Sequence, residues 1–335
     1  MSWLRKHLPG IALSFVIALL AFGLGNIFPI VGGPVFGIVL GILINNIVGK
    51  PVWSENGIKF TSKKILQWAV IMLGAGLSLT QVWKTGLESL SVMMFTLTLA
   101  FASAYVFGRL MGIPFRLTSL IGVGTAICGG SAIAAISPVI EAEETEVAYS
   151  ISTIFFFNII AVLLFPSLGH LLGFSDRAFG LWTGTAVNDT SSVVAAGYAF
   201  SDTAGSYATI VKLTRTTMII PISLIFAAAM AMKRRRTSRH EGLIKYSFKS
   251  IFPWFVVGFL IASLLNTAGI FDKGTVSFLT SAGKFLIVMA LSAVGLSADI
   301  GKMLKTGLKP LVLGLIVWLT VALVSIGVQC FTGQL

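Results

Sequence analysis

The stretch TAICGGSAIAA, residues 125–135, lies inside a long apolar run and interrupts it with small and polar residues. Cys128, Gly129, Gly130 and Ser131 stand where a membrane-spanning helix would usually carry large apolar side chains. Glycine costs a helix interior about 1 kcal/mol relative to alanine, and a serine can accept hydrogen bonds from the N–H groups of a new helix. The stretch therefore predicts a broken helix, although small residues also suit close packing between neighbouring helices.

The composition is that of a polytopic, all-α membrane protein. Of the 335 residues, 56% are hydrophobic and 11% are charged, and the mean hydropathy is +0.94. Soluble domains usually contain about 45–50% apolar and about 25% charged residues. The excess of apolar residues is too large for one soluble core, and it predicts helices that cross a bilayer.

Apolar runs long enough to cross a bilayer predict about eleven transmembrane helices. We expect residues 1–335 to form one transmembrane domain, with repeat-like halves at about 33–167 and 178–331. The predicted spans are 9–28, 33–49, 64–82, 87–109, 118–140, 145–167, 178–200, 205–232, 251–270, 278–299 and 308–331.

Basic residues accumulate in alternate loops, most densely at residues 233–239. Because lysine and arginine favour the cytoplasmic side, this pattern predicts a multi-pass protein of a bacterial cytoplasmic membrane with a cytoplasmic N-terminus. The acidic loop at residues 141–146 falls on the other side in this assignment, and Arg177 falls inside. The basic segment also suits contact with anionic lipid. The net charge of +12 does not indicate nucleic-acid binding, because no basic groove interleaved with aromatic residues is present.

Two internal similarities indicate repeats. GAGLSLTQVWKTGLESL, from Gly74, resembles AVGLSADIGKMLKTGLKPL, from Ala293, seven spans later. Such copies cross in opposite directions, as in the inverted repeats of secondary transporters. The stretch GTAICGGSAIAA, from Gly124, resembles GTAVNDTSSVVAA, from Gly184, but the loop count makes these two run in the same direction. Either one of them is re-entrant, or they resemble each other because their roles are similar.

The second of these stretches is polar at its centre, with Asn188, Asp189, Thr190 and Ser191 in succession. An aspartate inside a span is costly and usually faces a cavity or a charged partner. These residues predict a second helix break at a binding site. The alternatives are an extramembrane loop or a helix cap.

The next span contains Lys212 and Arg215, which are three residues apart and so share one helix face. A buried arginine suits bidentate recognition of an oxyanion. The alternative is a structural ion pair between Arg215 and Asp189.

Enzyme motifs are absent from the sequence: it contains no GxSxG, no P-loop and no HExxH. We therefore expect no catalytic activity and no organic cofactor. The three histidines lie in or near loops, and no cluster has metal-ligand spacing. The two cysteines, Cys128 and Cys330, lie in separate apolar runs and do not suggest a disulfide.

The motifs CGGSAIAAISPVI, GLWTGTAVNDTSSVVAAG and VKLTR resemble signatures of the bacterial family named for sulfate export, a group of uncharacterised integral membrane proteins. The resemblance covers nearly the whole chain. It implies membership of the cation–proton antiporter and anion transporter superfamily, whose members have inverted repeats and discontinuous crossing helices. Asn188 stands where relatives often carry histidine, which weakens a proton-relay role at that position.

Together these features predict a secondary transporter that moves a small sulfate-like, sulfonate or carboxylate anion by alternating access. The alternatives are a sodium–proton antiporter with Asp189 as the ion-binding residue, or a membrane sensor that transports nothing. We expect Asp189 and Lys212 to couple transport to Na⁺ or H⁺. A homodimer is compatible with the glycine content. The expected substrate-binding residues are Cys128, Gly129, Gly130, Ser131, Asn188, Thr190, Ser191 and Arg215.

Overall fold

The computed structural model describes residues 2–28, 31–49, 51–236, 252–304 and 307–335. This part of the chain is helical and contains no strand. Six of its helices are long and apolar enough to cross a membrane, and Gly32–Val48 and Trp254–Thr267 are shorter apolar helices. The predicted class, an all-α polytopic membrane protein, is confirmed. The end of the predicted basic loop, residues 237–239, and the first residue of the predicted span 251–270 lie outside the described residues.

The α-helices are numbered in chain order. They are α1 Ser2–Ile27, α2 Gly32–Leu43, α3 Glu55–Phe60, α4 Leu66–Gly74, α5 Leu79–Leu110, α6 Phe115–Ala126, α7 Gly130–Ile136, α8 Glu144–Leu171, α9 Asp176–Ala186, α10 Thr190–Phe200, α11 Asp202–Thr217, α12 Ile219–Arg236, α13 Trp254–Thr267, α14 Lys273–Ser297, α15 Ile300–Leu304 and α16 Leu308–Thr332. Short 3₁₀ and π-helical turns join α3 to the preceding loop and to α4, and a π-helical turn extends α2.

Local sequence sets where several helices begin. Ser78 accepts a hydrogen bond from the backbone N–H of Gln81 and so caps α5. Glu143 and Glu146 form a reciprocal capping box at the start of α8, which satisfies N–H groups that have no partner inside the helix. Polar side chains between apolar runs thus fix the starts of α5 and α8.

One side of the molecule, which we call the basic side, holds the start of α1, the end of α2 and the end of α14. The α1 backbone at Gly10 packs directly on Gly57 in α3. Asn46 Nδ2, just after α2, donates to the carbonyl oxygen of Ala298 at 2.9 Å. Alternation of the helices brings the end of α5 and the start of α6 to this side. Its basic residues include Arg5, Lys6, Lys59, Lys63, Lys64, Arg109 and Arg116.

The other side, which we call the opposite side, holds the end of α13 beside the start of α5. The backbone N–H of Leu79 donates to Thr267 Oγ1 at 2.7 Å. Near the end of α16, Gln334 Nε2 donates to the carbonyl oxygen of Glu88 in α5 at 3.3 Å. These contacts place the beginning of α5 and the ends of α13 and α16 together.

Helices α9 and α10 form a hairpin that enters and leaves at the opposite side. Ser201 Oγ, just after α10, donates to Asp176 Oδ1 at the start of α9 at 2.7 Å. The rings of Phe179 and Phe200 stack with centroids 4.0 Å apart. The predicted break in residues 178–200 is present, but the predicted crossing is wrong, because the two ends of the segment lie together.

Helices α6 and α7 form a second hairpin, which enters from the basic side. Thr118 in α6 packs on Gly108 near the end of α5, and α7 turns back so that Ile133 packs on Gly124. Helix α7 also packs against α12, which runs toward the basic side. The predicted crossing of residues 118–140 is therefore also wrong.

The two hairpins change the predicted topology. Helix α8 begins at the basic side, since Thr153 packs on Gly314 near the start of α16. The acidic loop at residues 141–146 consequently lies at the basic side and Arg177 at the opposite side, the reverse of their predicted placement. By these contacts, nine helical stretches of the described chain run between the two sides. The similar stretches that begin at Gly124 and Gly184 run in opposite directions, because their hairpins enter from opposite sides.

Candidate functional site

The tips of the two hairpins touch each other. Gly129 has φ +67° and ψ −131°, a conformation that favours glycine over any residue with a Cβ atom. A Cβ atom at Gly129 would lie 3.3 Å from Asp189 Cβ and 3.4 Å from Asp189 Oδ1. The close approach of the second tip thus adds a steric reason for glycine at this position.

Two buried cations bind the carbonyl ends of the first half of each hairpin. Lys212 Nζ donates to the carbonyl oxygens of Ile127 at 2.7 Å and Val187 at 3.0 Å. Both Lys212 and Arg215 are 0% exposed. Because a helix C-terminus carries about half a negative charge, the two cations neutralise the inner ends of α6 and α9.

The guanidinium of Arg215 spans the same two helix ends. Nε donates to the carbonyl oxygen of Ala126 at 2.6 Å, and Nη2 donates to that of Thr125 at 2.6 Å. Nη1 donates to the carbonyl oxygen of Thr185. In the described part of the chain, no ion pair within 4.0 Å joins Arg215 to Asp189. The predicted alternative of an Asp189–Arg215 ion pair is wrong, because backbone carbonyls hold the guanidinium instead.

Asp189 is the N-cap of α10. Its Oδ2 accepts hydrogen bonds from the backbone N–H of Ser191 at 3.0 Å and from the Ser191 hydroxyl. Its side chain is partly buried, and its neighbour Thr190 is 8% exposed. A carboxylate at a helix N-terminus is stabilised by the helix dipole.

Asn158 in α8 supports the same tip. Its Oδ1 accepts from the backbone N–H groups of Asn188 at 3.1 Å and Asp189 at 3.2 Å. The Asn188 side chain is 0% exposed, and both ends of its amide lack a hydrogen-bond partner in the described structure. Buried amide groups are normally paired, so the Asn188 side chain is an exception. Its donor and its acceptor lie behind the tip without a partner among the described residues.

A cavity of about 440 Å³ reaches the hairpin tips from the basic side. Its inner wall includes Cys128, Ser131 and Thr190, and its outer wall includes Lys63 and Lys64. No aspartate or glutamate is among its described lining residues. The other lining residues are Gln67, Ala134, Ala135, Thr216, Ile219, Phe252, Pro253, Trp254 and Phe255.

The structure thus brings the predicted site residues into one region, where they occupy three positions. Cys128, Ser131 and Thr190 line the cavity. Residues 129–130 and 188–191 form the touching tips. Lys212 and Arg215 lie behind the tips, on the carbonyl ends. Sequence reasoning missed the lining role of Lys63 and Lys64, although two adjacent lysines at the edge of a predicted span were an available signal.

A second, smaller cavity of about 240 Å³ lies toward the opposite side. Lys284 Nζ in α14 lies 2.7 Å from Asp202 Oδ2 in α11, and 5.9 Å from the centroid of the Tyr198 ring. All three side chains line this cavity. Sequence reasoning did not predict this ion pair.

Apolar crossing helices around two hairpins with touching tips and buried cations define a polytopic membrane protein of transporter-like architecture. The chain belongs to the family described as Conserved hypothetical protein 698, whose model matches residues 9–314. It is 44% identical to a UPF0324 membrane protein of Clostridium tetani over 100% of both chains. It is 45% identical to one of Streptococcus pyogenes serotype M6 over 99% of both chains. It is 43% identical to one of Fusobacterium nucleatum over 98% of this chain and 99% of the relative. These descriptions name a membrane protein and no substrate, so sulfate export stays a prediction.

Proposed function

We propose that this protein is a secondary transporter that moves a small anion across the bacterial cytoplasmic membrane by alternating access. The observation that carries the proposal is the charge of the cavity at the hairpin tips. Lys63 and Lys64 line it, and none of its described lining residues is acidic. Clefts lined by one sign of charge concentrate ligands of the opposite sign.

The anion binds where the cavity meets the tips. Ser131 and Thr190 supply hydroxyl donors. Lys212 and Arg215 act as fixed charges behind the tips, because their donors are bound to backbone carbonyls. In this role they stabilise the anion through space and keep the hairpins together.

An inverted repeat supports alternating access. The hairpins enter from opposite sides, and the repeated stretches at Gly124 and Gly184 occupy matching places in them. The similar stretches that begin at Gly74 and Ala293 lie at the ends of α4 and α14, which also run in opposite directions. In transporters built from inverted repeats, one repeat or bundle moves against the other around a fixed site.

The Lys284–Asp202 ion pair acts as the gate at the opposite side. It joins α14 to α11, next to the hairpin α9–α10. The larger cavity reaches the tips from the basic side while this pair links the helices at the other. We infer that the basic side faces the cytoplasm, because lysine and arginine accumulate there.

Asp189 is the residue to which we assign the coupling ion, either H⁺ or Na⁺. It lies at the tip, adjacent to the cavity residue Thr190. The same position supports the second candidate, a sodium–proton antiporter in which Asp189 carries the exchanged ion and no anion is needed. A membrane sensor would use the cavity for binding alone.

Purified protein in liposomes separates these functions. Sulfate, sulfonates and carboxylates are offered outside, with a sodium or a proton gradient imposed in separate arms. The proposal expects saturable uptake of at least one anion. Sodium-dependent proton movement without any anion would establish the antiporter instead. Binding without movement of any ion would establish the sensor.

A further inference from the structure

The cavity at the hairpin tips has an apolar wall as well as a cationic one. The consecutive residues Phe252, Pro253, Trp254 and Phe255, at the start of α13, all line it. The Phe252 and Trp254 rings lie with centroids 4.6 Å apart. Ala134, Ala135 and Ile219 add further apolar surface.

A cavity with both a cationic and an apolar wall should bind organic anions more tightly than inorganic ones. Inorganic sulfate has no apolar surface, so an aromatic wall cannot replace the water that it would lose on binding. An organic anion can direct its charged group toward the lysines and tips and bury its carbon skeleton on the aromatic rings. Pockets for small organic molecules are typically about 300–1,000 Å³ and mostly apolar, with a few polar groups that fix orientation. The volume of about 440 Å³ lies in that range.

We propose that the substrate is a small organic anion, with one charged headgroup and an apolar body about the size of a ring. The headgroup, a sulfonate or a carboxylate, lies at the hydroxyls of the tips on the inner wall, where it is attracted by Lys63 and Lys64 on the outer wall. The apolar body lies against Phe252 and Trp254. This inference rests on the proposed function, since it specifies the substrate class of the same cavity.

The test is equilibrium binding to the purified full chain by calorimetry, with probes that differ in one feature at a time. Benzenesulfonate and methanesulfonate share a headgroup and a charge, benzoate changes the headgroup, sulfate lacks an apolar body, and benzyl alcohol lacks the charge. A difference of one methylene in an apolar pocket is worth about 10- to 200-fold. We therefore expect benzenesulfonate to bind at least about tenfold more tightly than methanesulfonate. Tighter binding of benzoate than of benzenesulfonate would assign a carboxylate headgroup.

Two variants locate the preference in the cavity. Trp254→Ala should reduce the ratio between benzenesulfonate and methanesulfonate to below about threefold, because it removes part of the aromatic wall. Lys63→Gln should weaken both sulfonates alike and leave their ratio unchanged. The matched control is Trp83→Ala, because Trp83 is 71% exposed and lies outside the lining.

The outcomes distinguish this inference from the proposed function. If sulfate or methanesulfonate binds as tightly as benzenesulfonate in the unaltered protein, the organic-anion inference is overturned and anion transport stands. The inference is also overturned if Trp83→Ala changes the ratio as much as Trp254→Ala does. If no anion binds, or if benzyl alcohol binds as tightly as benzenesulfonate, the proposed function of anion transport is itself contradicted.

Discussion

Lys212 Nζ lies 2.7 Å from the carbonyl oxygen of Ile127 and 3.0 Å from that of Val187, so one ammonium group joins the inner ends of two hairpins. The hairpins enter from opposite sides of the protein. A single helix, α11, therefore fixes both tips relative to each other. The donor that joins the two carbonyl ends therefore belongs to the protein itself.

Replacement of Lys212 by methionine should destabilise the protein. The change keeps the length of the side chain and leaves two buried carbonyls without their donor, at a cost of about 1–3 kcal/mol each. The midpoint of thermal unfolding should fall in detergent. Lys59→Met is the control, since the Lys59 side chain is 70% exposed and its Nζ lies 2.8 Å from Glu55 Oε1. Equal midpoints for the two variants would show that the carbonyl bridge has no structural importance.

The effect of an alanine substitution on stability should differ between the two glycines of the first tip, Gly129 and Gly130. Gly129→Ala forces a Cβ atom into a positive-φ position 3.3 Å from Asp189 Cβ, and strain of this kind costs about 1–3 kcal/mol. A Cβ atom at Gly130, in the first turn of α7, would have no heavy atom of the described residues within 4 Å apart from its chain neighbours and the backbone of its own helix. Gly130→Ala should therefore be neutral or slightly stabilising. Thermal unfolding of the two variants checks the difference. A more harmful Gly130→Ala would contradict the tip geometry.

Asn158 should stabilise the protein through its side-chain oxygen, which accepts hydrogen bonds from two backbone N–H groups of the second tip. Asn158→Leu leaves both donors unpaired and should cost about 1–3 kcal/mol of stability. Thr153 lies in the same helix, and its hydroxyl is buried without a partner in the described structure. Thr153→Val should therefore be nearly neutral, and unfolding midpoints measure both variants. Similar losses for both would indicate general packing of α8 in place of support for the tip.

Breaking the Lys284–Asp202 pair should open the opposite side. An ion pair this exposed contributes about 1 kcal/mol or less, which corresponds to at most about a fivefold change in a conformational equilibrium. The reporter is Val288→Cys, a position that is 2% exposed and lines the smaller cavity, with both native cysteines replaced by serine. Lys284→Gln should speed labelling by an impermeant maleimide from the opposite side by up to about fivefold.

The control for the gate exchanges its charges. The pair Lys284→Asp with Asp202→Lys restores the attraction and should return labelling to the original rate. If Lys284→Gln leaves the labelling rate unchanged, the ion pair is not a gate.

The sequence predicted the positions of both helix breaks but not the course of the chain around them. Gly129 and Asp189 mark the breaks because glycine and aspartate are poorly suited to the middle of an apolar helix. A run of about 23 apolar residues has the same composition whether it crosses the membrane or folds back as two half-helices. Composition alone therefore could not reveal the two opposed hairpins. The similarity between the stretches that begin at Gly124 and Gly184 was evidence for them, although the loop count made both stretches run in the same direction.

The partners of the buried cations could not be predicted either. Lys212 and Arg215 required oxygen partners once they were buried, and Asp189 was the acidic residue that the sequence predicted at the middle of a neighbouring span. The structure supplies backbone carbonyls, among them Ala126, 89 residues away along the chain. Every residue carries a backbone carbonyl, so the sequence does not show which carbonyls can accept a hydrogen bond from a side chain. That depends on where each helix ends in the folded protein. The lysines and aromatic residues of the cavity were missed for a similar reason, because the turn between α3 and α4 and the start of α13 face the tips across the cavity only in the folded protein.

The most direct measurement of the central claim is anion uptake into liposomes by the double variant Lys63→Gln/Lys64→Gln. Loss of two cavity charges should raise the KM for the transported anion by about tenfold, since each exposed charge contributes about 0.5–1 kcal/mol to binding at moderate salt. Lys59→Gln, outside the cavity, should leave KM unchanged. An unchanged KM in the double variant, or the absence of anion uptake by the unaltered protein, would contradict a cationic transport site at the hairpin tips.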